Sequence, residues 1–468
     1  MLADLKTAAG TGPYSRESIE ERASGEPDWL RAMRHAAFET FESAPLPTTK
    51  LEEWRYTDPR LLKWDAVAPG PAGAHARSAT GSTASASRNG ARPPVAGDRR
   101  PAVFSPPRIA APGLAMLEDR AAAARAVQVN GAIVHIDLPD ELKARGVLVL
   151  DLAAAAASHE ALVRQHLGRY APPEAGKFVA LNAALWSAGL LIFVPRGVRI
   201  DLPIRVARWI DRPGEAFFPR TLVVAGEGSH VGVVEEFRSP DFEQPVFNCG
   251  VVEIFAAPTA EVQHVSIQRW GRGVHHLETQ RTTAGRDASL DTLVVNLGAS
   301  VARVDLAASL DGAGARSDLL GLYFGQDDQH FDHETRQDHR VPHASSDLLY
   351  KGGLDDRARA VFRGMIKVFP KAQRTDAYQT NRNLILSRQA QATSLPNLEI
   401  EADDVRCSHA AAVGHLDDEE LFYIMSRGVP RKDAERLVVF GFFGEVLDRL
   451  PMPDVVRELR AAIEEKIG

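Results

Sequence analysis

"VVEIFAAPTAEVQHVSIQRWGRGVHHLETQRTTAGRDASLDTLVVNLG", residues 251–298, decides the fold class of this chain. It holds four short segments, at 251–258, 261–270, 275–285 and 289–298, which alternate apolar with polar residues and stop at Pro, Gly, Asp or Asn. Alternation with a period of two sends successive side chains to opposite faces of a strand, so each segment reads as β. The pattern extends both ways, through "TLVVAGEG" (221–228) and "VGVVEEF" (231–237) upstream and "SDLLGLYFG" (317–325), "RAVFRGMIKV" (359–368) and "TDAYQTNRNLILS" (375–387) downstream. No long amphipathic helix interrupts it. An all-β unit reaching from 178 to about 413 is either a sandwich or a solenoid. Rungs of a β-helix would explain why polar-faced strands such as "TDAYQTNRN" recur without helices to cover a sheet, although no strict residue repeat is visible.

The flanks are helical. Trp29, Leu30, Met33, Ala37, Phe38 and Phe41 recur at spacings of three and four, which predicts a helix from about Asp28 to Glu42. Pro45 and Pro47 end it, and Thr49 is placed to open a short second helix. Residues 1–66 thus form an N-terminal helical region. Residues 67–107 collapse into Ala, Gly, Ser, Pro and Arg and read as a flexible linker, because so little apolar surface cannot offset the entropy of ordering. A mixed α/β lead-in covers 108–177, with helix expected in "DLAAAAASHEALVRQHLGRY" (151–170), and the β core covers 178–414. A C-terminal helical domain, 415–468, opens with Asp417 as N-cap and Glu420 three residues on. Gly428 suits the end of that helix and Pro430 the start of the next.

Composition narrows the function classes. At 44% hydrophobic and 25% charged residues the chain reads as a soluble globular protein, and a net charge of -7 offers nothing to nucleic acid or an anionic membrane. Two cysteines, Cys249 and Cys407, cannot build a disulfide scaffold and fit a reducing, cytoplasmic setting. The start has no signal-peptide core, and the most apolar runs, at 189–194 and 146–157, are too short to span a bilayer.

Two clusters are candidate sites. In "EADDVRCSHAAAVGHL" (401–416), Cys407 and His409 stand at i and i+2, so on a strand a thiol and an imidazole would face one ligand together. An adjacent imidazolium would also favour the thiolate. Two ligands are fewer than a structural zinc site needs, so a metal here would have to be transient or completed by another protein; the plain alternative is a packed thiol beside a capping histidine. In "QHFDHETRQDHRVPH" (329–343), His330, His333, His339 and His343 crowd with Asp332, Glu334 and Asp338. His333 and His339 share a parity, His330 opposes them, and Pro342 separates His343; a hydrogen-bonded polar rung is favoured over a stand-alone metal enzyme. A β-helix enzyme acting on carbohydrate would draw on Glu235, Glu236, Asp327 and Asp328, which nothing pairs. No phosphate loop, dinucleotide fingerprint, nucleophile elbow or EF-hand pattern is present, so no nucleotide site is expected in this chain. "LVVFGFFG" (437–444) reads as core packing or a partner-docking surface.

Taken together, "FVALNAALWSAGLLIFVPRGV" (178–198), "LYKGGLDDRARAVFRGMIKV" (349–368) and the run from Thr375 to Gly428 resemble the SufB/SufD family of iron–sulfur cluster assembly proteins. "PLPTTKLEEWRYTD" (45–58) and "ADDVRCSH" (402–409) resemble its SufD branch. The family's common "CSHGATVG" reads "CSHAAAVG" here, with Ala410 and Ala412 in place of Gly and Thr. The resemblance implies a mainly β fold, a right-handed parallel β-helix between N- and C-terminal helical parts. It implies a non-catalytic scaffold subunit of the SUF complex that pairs with a SufB-like paralogue through the β-helix. A SufC-like ATPase would bind the C-terminal helices and supply the nucleotide chemistry. It also implies that His409, with Cys407 beside it, helps hold a transient iron–sulfur cluster at the interface with the paralogue.

Overall fold

From Arg220 onward every strand pairs in parallel with the strand two places further along the chain, and none pairs with its immediate successor. That connectivity is a solenoid: the chain alternates between two parallel sheets and climbs one rung per pair of strands, about eight turns in all. A sandwich would pair its neighbours antiparallel through short turns. The computed structural model that establishes this describes residues 13–70, 112–118, 120–187 and 189–467.

In-register partners give the rung length. His275 meets Val301, Val301 meets His330, His330 meets Arg359 and Arg359 meets Gln391, so the steps are 26, 29, 29 and 32 residues. A step that drifts this much leaves no strict repeat to read. Periodicity survives at one corner. Ala260, Ala288 and Ala315 each close a turn by bonding to the carbonyl three residues back, and Thr259, Asp287 and Gly314 before them take positive φ. Such turns need a left-handed third residue, and the alanine that follows is buried.

The interior is only partly apolar. Glu235 is fully buried and accepts from Arg208 Nη2 at 2.6 Å, Thr221 Oγ1 at 2.8 Å and His264 Nε2 at 3.1 Å. Burial alone would raise its pKa, but Arg208 and the hydrogen bond from His264 outweigh that and hold it at about 2. Further along, the rings of Tyr323 and Tyr350 lie over Gly352 and Gly321 of the neighbouring strand in the same sheet, where any Cβ would collide with them.

Helices cover the two outer faces. N-terminal residues Phe38, Phe41, Trp64, Phe178 and Leu181 pack on Leu222, Phe247, Cys249 and Leu277 of one sheet. C-terminal residues Val439, Phe443, Val446, Leu459 and Ile463 pack on Val265, Leu293, Leu320 and Leu349 of the other. Full burial of each such side chain contributes about 1.5–3 kcal/mol. The N-terminal cover is also pinned by Glu253, which pairs with Arg220 at 2.6 Å and accepts from the amides of Gly168, Tyr170 and Ala171.

Local details depart from the sequence expectations. The helix at Asp28–Ser43 forms, but the short helix expected to open at Thr49 is a 3-10 turn, Glu52–Trp54, and a helix at Arg16–Ala23 was not anticipated. Val67 is buried and Ala68–Pro69 pairs with Glu215–Ala216, so the ordered N-terminal region runs past 66; residues 71–107 of the expected linker lie outside the described residues. The segment assigned to the β core from 178 begins instead with a helix, Lys177–Leu185, apolar nearly all round because it is wedged between the helical cover and the sheet. The C-terminal helices are Asp418–Met425, Arg431–Leu447 and Pro453–Ile467; Asp417 accepts from the amides of Glu419 and Glu420, and Gly428 takes φ 88°.

Candidate functional site

The last rung consists of Gln391–Ile400 in one sheet and Arg406–His415 in the other, and among the described residues each strand has a neighbour on one side only. Every residue in both strands is half-buried or exposed, although the rungs beneath are largely buried. Register shows which side chains look inward. Ala377, Gln379, Asn381 and Asn383 are buried, whereas Tyr378 and Arg382 between them are exposed. Their partners one rung up are Cys407, His409, Ala411 and Val413. Across the interior, Ile366 and Val368 are continued by Leu398 and Ile400. The solenoid is therefore open at this end, with Val413 50% and Ile400 41% exposed in columns that are closed lower down. Two ten-residue edges with unpaired backbone groups frame the opening, a template for another strand.

Cys407 and His409 share the inward face, as their spacing predicts, and they differ in setting. Cys407 is half-buried against Ala377, Ala402, Leu398 and Val405, whereas the His409 ring is exposed. Burial and then the nearby Asp376 carboxylate push the Cys407 thiol above its usual range, against a smaller opposing effect of the Ala377 amide. At neutral pH it is a thiol. The expectation that an imidazolium next to it would favour the thiolate is thus not met; a cation brought to the opening would have to displace the proton. Ala410 and Ala412 have the opposite parity and leave the inward face untouched. Among the described residues no three His, Cys, Asp or Glu side chains are grouped to hold a metal ion, so Cys407 and His409 are at most a candidate pair here.

The histidine-rich segment is a strand, His330–His339, and its rings are engaged separately. His333 stacks on Tyr323 at 4.5 Å and bonds Asn296 at 2.8 Å; His339 bonds Ser346 at 2.8 Å; His330, on the other face, bonds Thr57 at 2.8 Å. Burial lowers His333 and His339 to about 4, so both are neutral. His343 lies in the following turn at φ 62°. The carboxylates considered for carbohydrate chemistry do not converge either. Glu235 is enclosed as described, Glu236 pairs with Arg120 and Arg238, and Asp327 pairs with Arg272 on a turn.

A second exposed feature lies on the C-terminal helices. Phe422 is 73%, Tyr423 60%, Leu437 55% and Met425 38% exposed. In "LVVFGFFG", Val439 and Phe443 are buried against the sheet and Phe440 and Phe442 are half-buried beside them, whereas Leu437 is exposed. No described helix is long and apolar enough to cross a membrane.

One neighbour of the site was missed from sequence. Gln379 lies directly beneath His409, 30 residues earlier in the chain. The signal was the in-register step, which only the solved register reveals.

The chain is similar in sequence to known proteins over most of its length. Residues 208–442 match the family described as "SUF system FeS cluster assembly, SufBD core domain", and residues 120–206 match "SufBD protein N-terminal region". An iron–sulfur cluster assembly SufBD family protein of Staphylococcus saprophyticus is 29% identical over 359 residues, covering 76% of this chain and 77% of that protein. The iron–sulfur cluster assembly protein SufB of Bacillus subtilis is 29% identical over the same length, with the same coverage.

Proposed function

The chain belongs to the SufBD family of iron–sulfur cluster assembly proteins, and from that premise we propose that it is a non-catalytic scaffold subunit of the SufD type. Its cargo is a nascent iron–sulfur cluster, held at the open end of the solenoid. The observation that carries this reading is the placement of Cys407 and His409 on the inward face of a last rung that a second protein can reach. Two soft ligands are too few to retain a cluster alone. A SufB-like paralogue that adds its own strands to the two free edges would supply the remaining ligands and exclude water from Val413, Ile400 and Leu398. The Cys407 thiol gives up its proton as the metal arrives, so loading releases acid. His409 contributes a neutral ring nitrogen. A SufC-like ATPase docks on the exposed aromatic face around Phe422 and Tyr423 and provides the driving energy. The SufD-type assignment rests on "PLPTTKLEEWRYTD" and "ADDVRCSH".

The test is co-expression with the paralogue and the ATPase, followed by iron and sulfide analysis of the purified complex. His409→Ala is expected to lower cluster content at least tenfold while all subunits still co-purify, and Cys407→Ser to lower it less. Wild-type cluster content in His409→Ala would refute the site.

A further inference from the structure

One stretch of the interior sets two carboxyl groups against a single arginine. Glu278 is fully buried and looks inward from the strand Val274–Ala284. Its register neighbours in the same sheet, Gly250 and Val304, offer it no polar side chain. On its own strand Gln280 Nε2 donates to Oε1, and His276 Nε2 stands 3.6 Å from Oε2. That histidine brings no charge. Its Nδ1 faces two donors, Asn248 Nδ2 at 3.0 Å and Trp270 Nε1 at 3.3 Å; a proton there would meet both, so the ring is neutral and carries its hydrogen on Nε2. Across the interior the titratable and charged groups toward Glu278 are Glu235, His264 and Arg208. Arg208 is engaged elsewhere: Nε and Nη2 bond Glu235 Oε1 at 3.2 and 2.6 Å, and Nη1 bonds Gln128. His264 Nε2 is held by the same Glu235 carboxylate at 3.1 Å. Among the described residues no lysine or arginine pairs with Glu278.

We propose that Glu278 is a neutral carboxylic acid inside the solenoid and that its ionisation is a pH-sensitive switch, which loosens the surrounding rungs as the solution turns alkaline. A buried carboxylate with neither water nor a counter-ion is costly, so the group keeps its proton. The 3.6 Å gap to His276 is wider than a charge-assisted hydrogen bond. Burial, and then the Glu235 charge, push Glu278 up to about 7 against the smaller opposing effects of Gln280, His264 and Arg208. In the unfolded chain it titrates near 4.5. Between those values only the folded chain holds the proton, so folding weakens as the pH rises, and the loss is complete above about 7. Once ionised, Glu278 competes with Glu235 for Arg208 or draws water into the interior.

The test uses the full chain and Glu278→Gln, which keeps the shape of the neutral acid but cannot ionise. Urea unfolding at a series of pH values gives the folding constant of each. Relative to the variant, wild type should lose about twentyfold in that constant from pH 5.5 to pH 7.5, because a single proton is released over that range. In wild type labelled with 13C-glutamate, the Glu278 side-chain carbon, identified by its absence from the variant, should sit at the protonated position at pH 6 and move near pH 7. A third measurement needs wild type alone. Hydrogen exchange followed by mass spectrometry should show protection in Glu261–Arg269 and Val274–Ala284 falling more between pH 6 and pH 8 than in Asp376–Ile385. Parallel stability curves for wild type and Glu278→Gln overturn the proposal. So does an ionised Glu278 signal at pH 6. If the variant does not fold, equal loss of protection in the three strands overturns it.

Discussion

Phe422 offers the sharpest quantitative test of the proposed docking face. It lies on Asp418–Met425 with 73% of its surface exposed, one residue after Leu421, which is only 2% exposed. Phenylalanine presents about 200 Å² of surface, so roughly 150 Å² here is free to be covered by a partner. At about 25 cal/mol per Å², complete burial is worth up to ~3.8 kcal/mol, and truncation of such an anchor typically costs ~2–4 kcal/mol in affinity. On that proposal, Phe422→Ala should weaken binding of a SufC-like ATPase by about 2–3 kcal/mol, roughly 30- to 150-fold in Kd. Stability of the isolated chain should change by no more than about 0.5 kcal/mol, as for surface positions generally. Tyr423 is the less suitable probe because Arg427 already bonds its hydroxyl at 2.9 Å. Titration calorimetry against the ATPase, with thermal melts of the isolated chain, measures both quantities. Leu421→Ala is the control and should lower Tm. An unchanged Kd for Phe422→Ala would remove this face from the argument.

Other consequences follow from the interior. Gly321→Ala drives a methyl into the Tyr350 ring and should destabilise the chain by about 1–3 kcal/mol in urea unfolding; adding Tyr350→Ala should make the pair less costly than the sum of the singles, and strict additivity would contradict the packing. Glu253→Ala strands the buried Arg220 and releases three backbone amides, an expected loss of about 3–5 kcal/mol; a loss under about 1 kcal/mol would show that the pair is solvated. His339 titrates at about 4 when folded and near 6.5 when unfolded, so the unfolded chain binds more protons between those values. Its contribution is complete above about pH 6.5 and is lost as the pH falls toward 4. Burial raises Glu278 to about 7 and Glu334 to about 8, which gives the opposite slope, so the comparison must be between wild type and His339→Gln. The variant should show a smaller fall in Tm from pH 6.5 to pH 4.5, and parallel curves would exclude the histidine as a contributor.

The sequence by itself determined what lies within a few residues of itself. Period-two alternation located the strands, Asp417 and Pro430 marked helix starts, and the i, i+2 spacing put Cys407 and His409 on one face. The motifs carried the family. Only the tertiary structure decided that Arg406–His415 is the last rung, that Gln379 sits beneath His409, and that the crowded histidines bind Thr57, Asn296 and Ser346 separately. It also set the protonation of Cys407, through burial and an aspartate 31 residues away. The physical reason is the same in each case. Capping and alternation are contacts between near neighbours in the chain, whereas a solenoid stacks residues 26–32 apart with a step that drifts from rung to rung, so neither register nor environment is written in any local pattern.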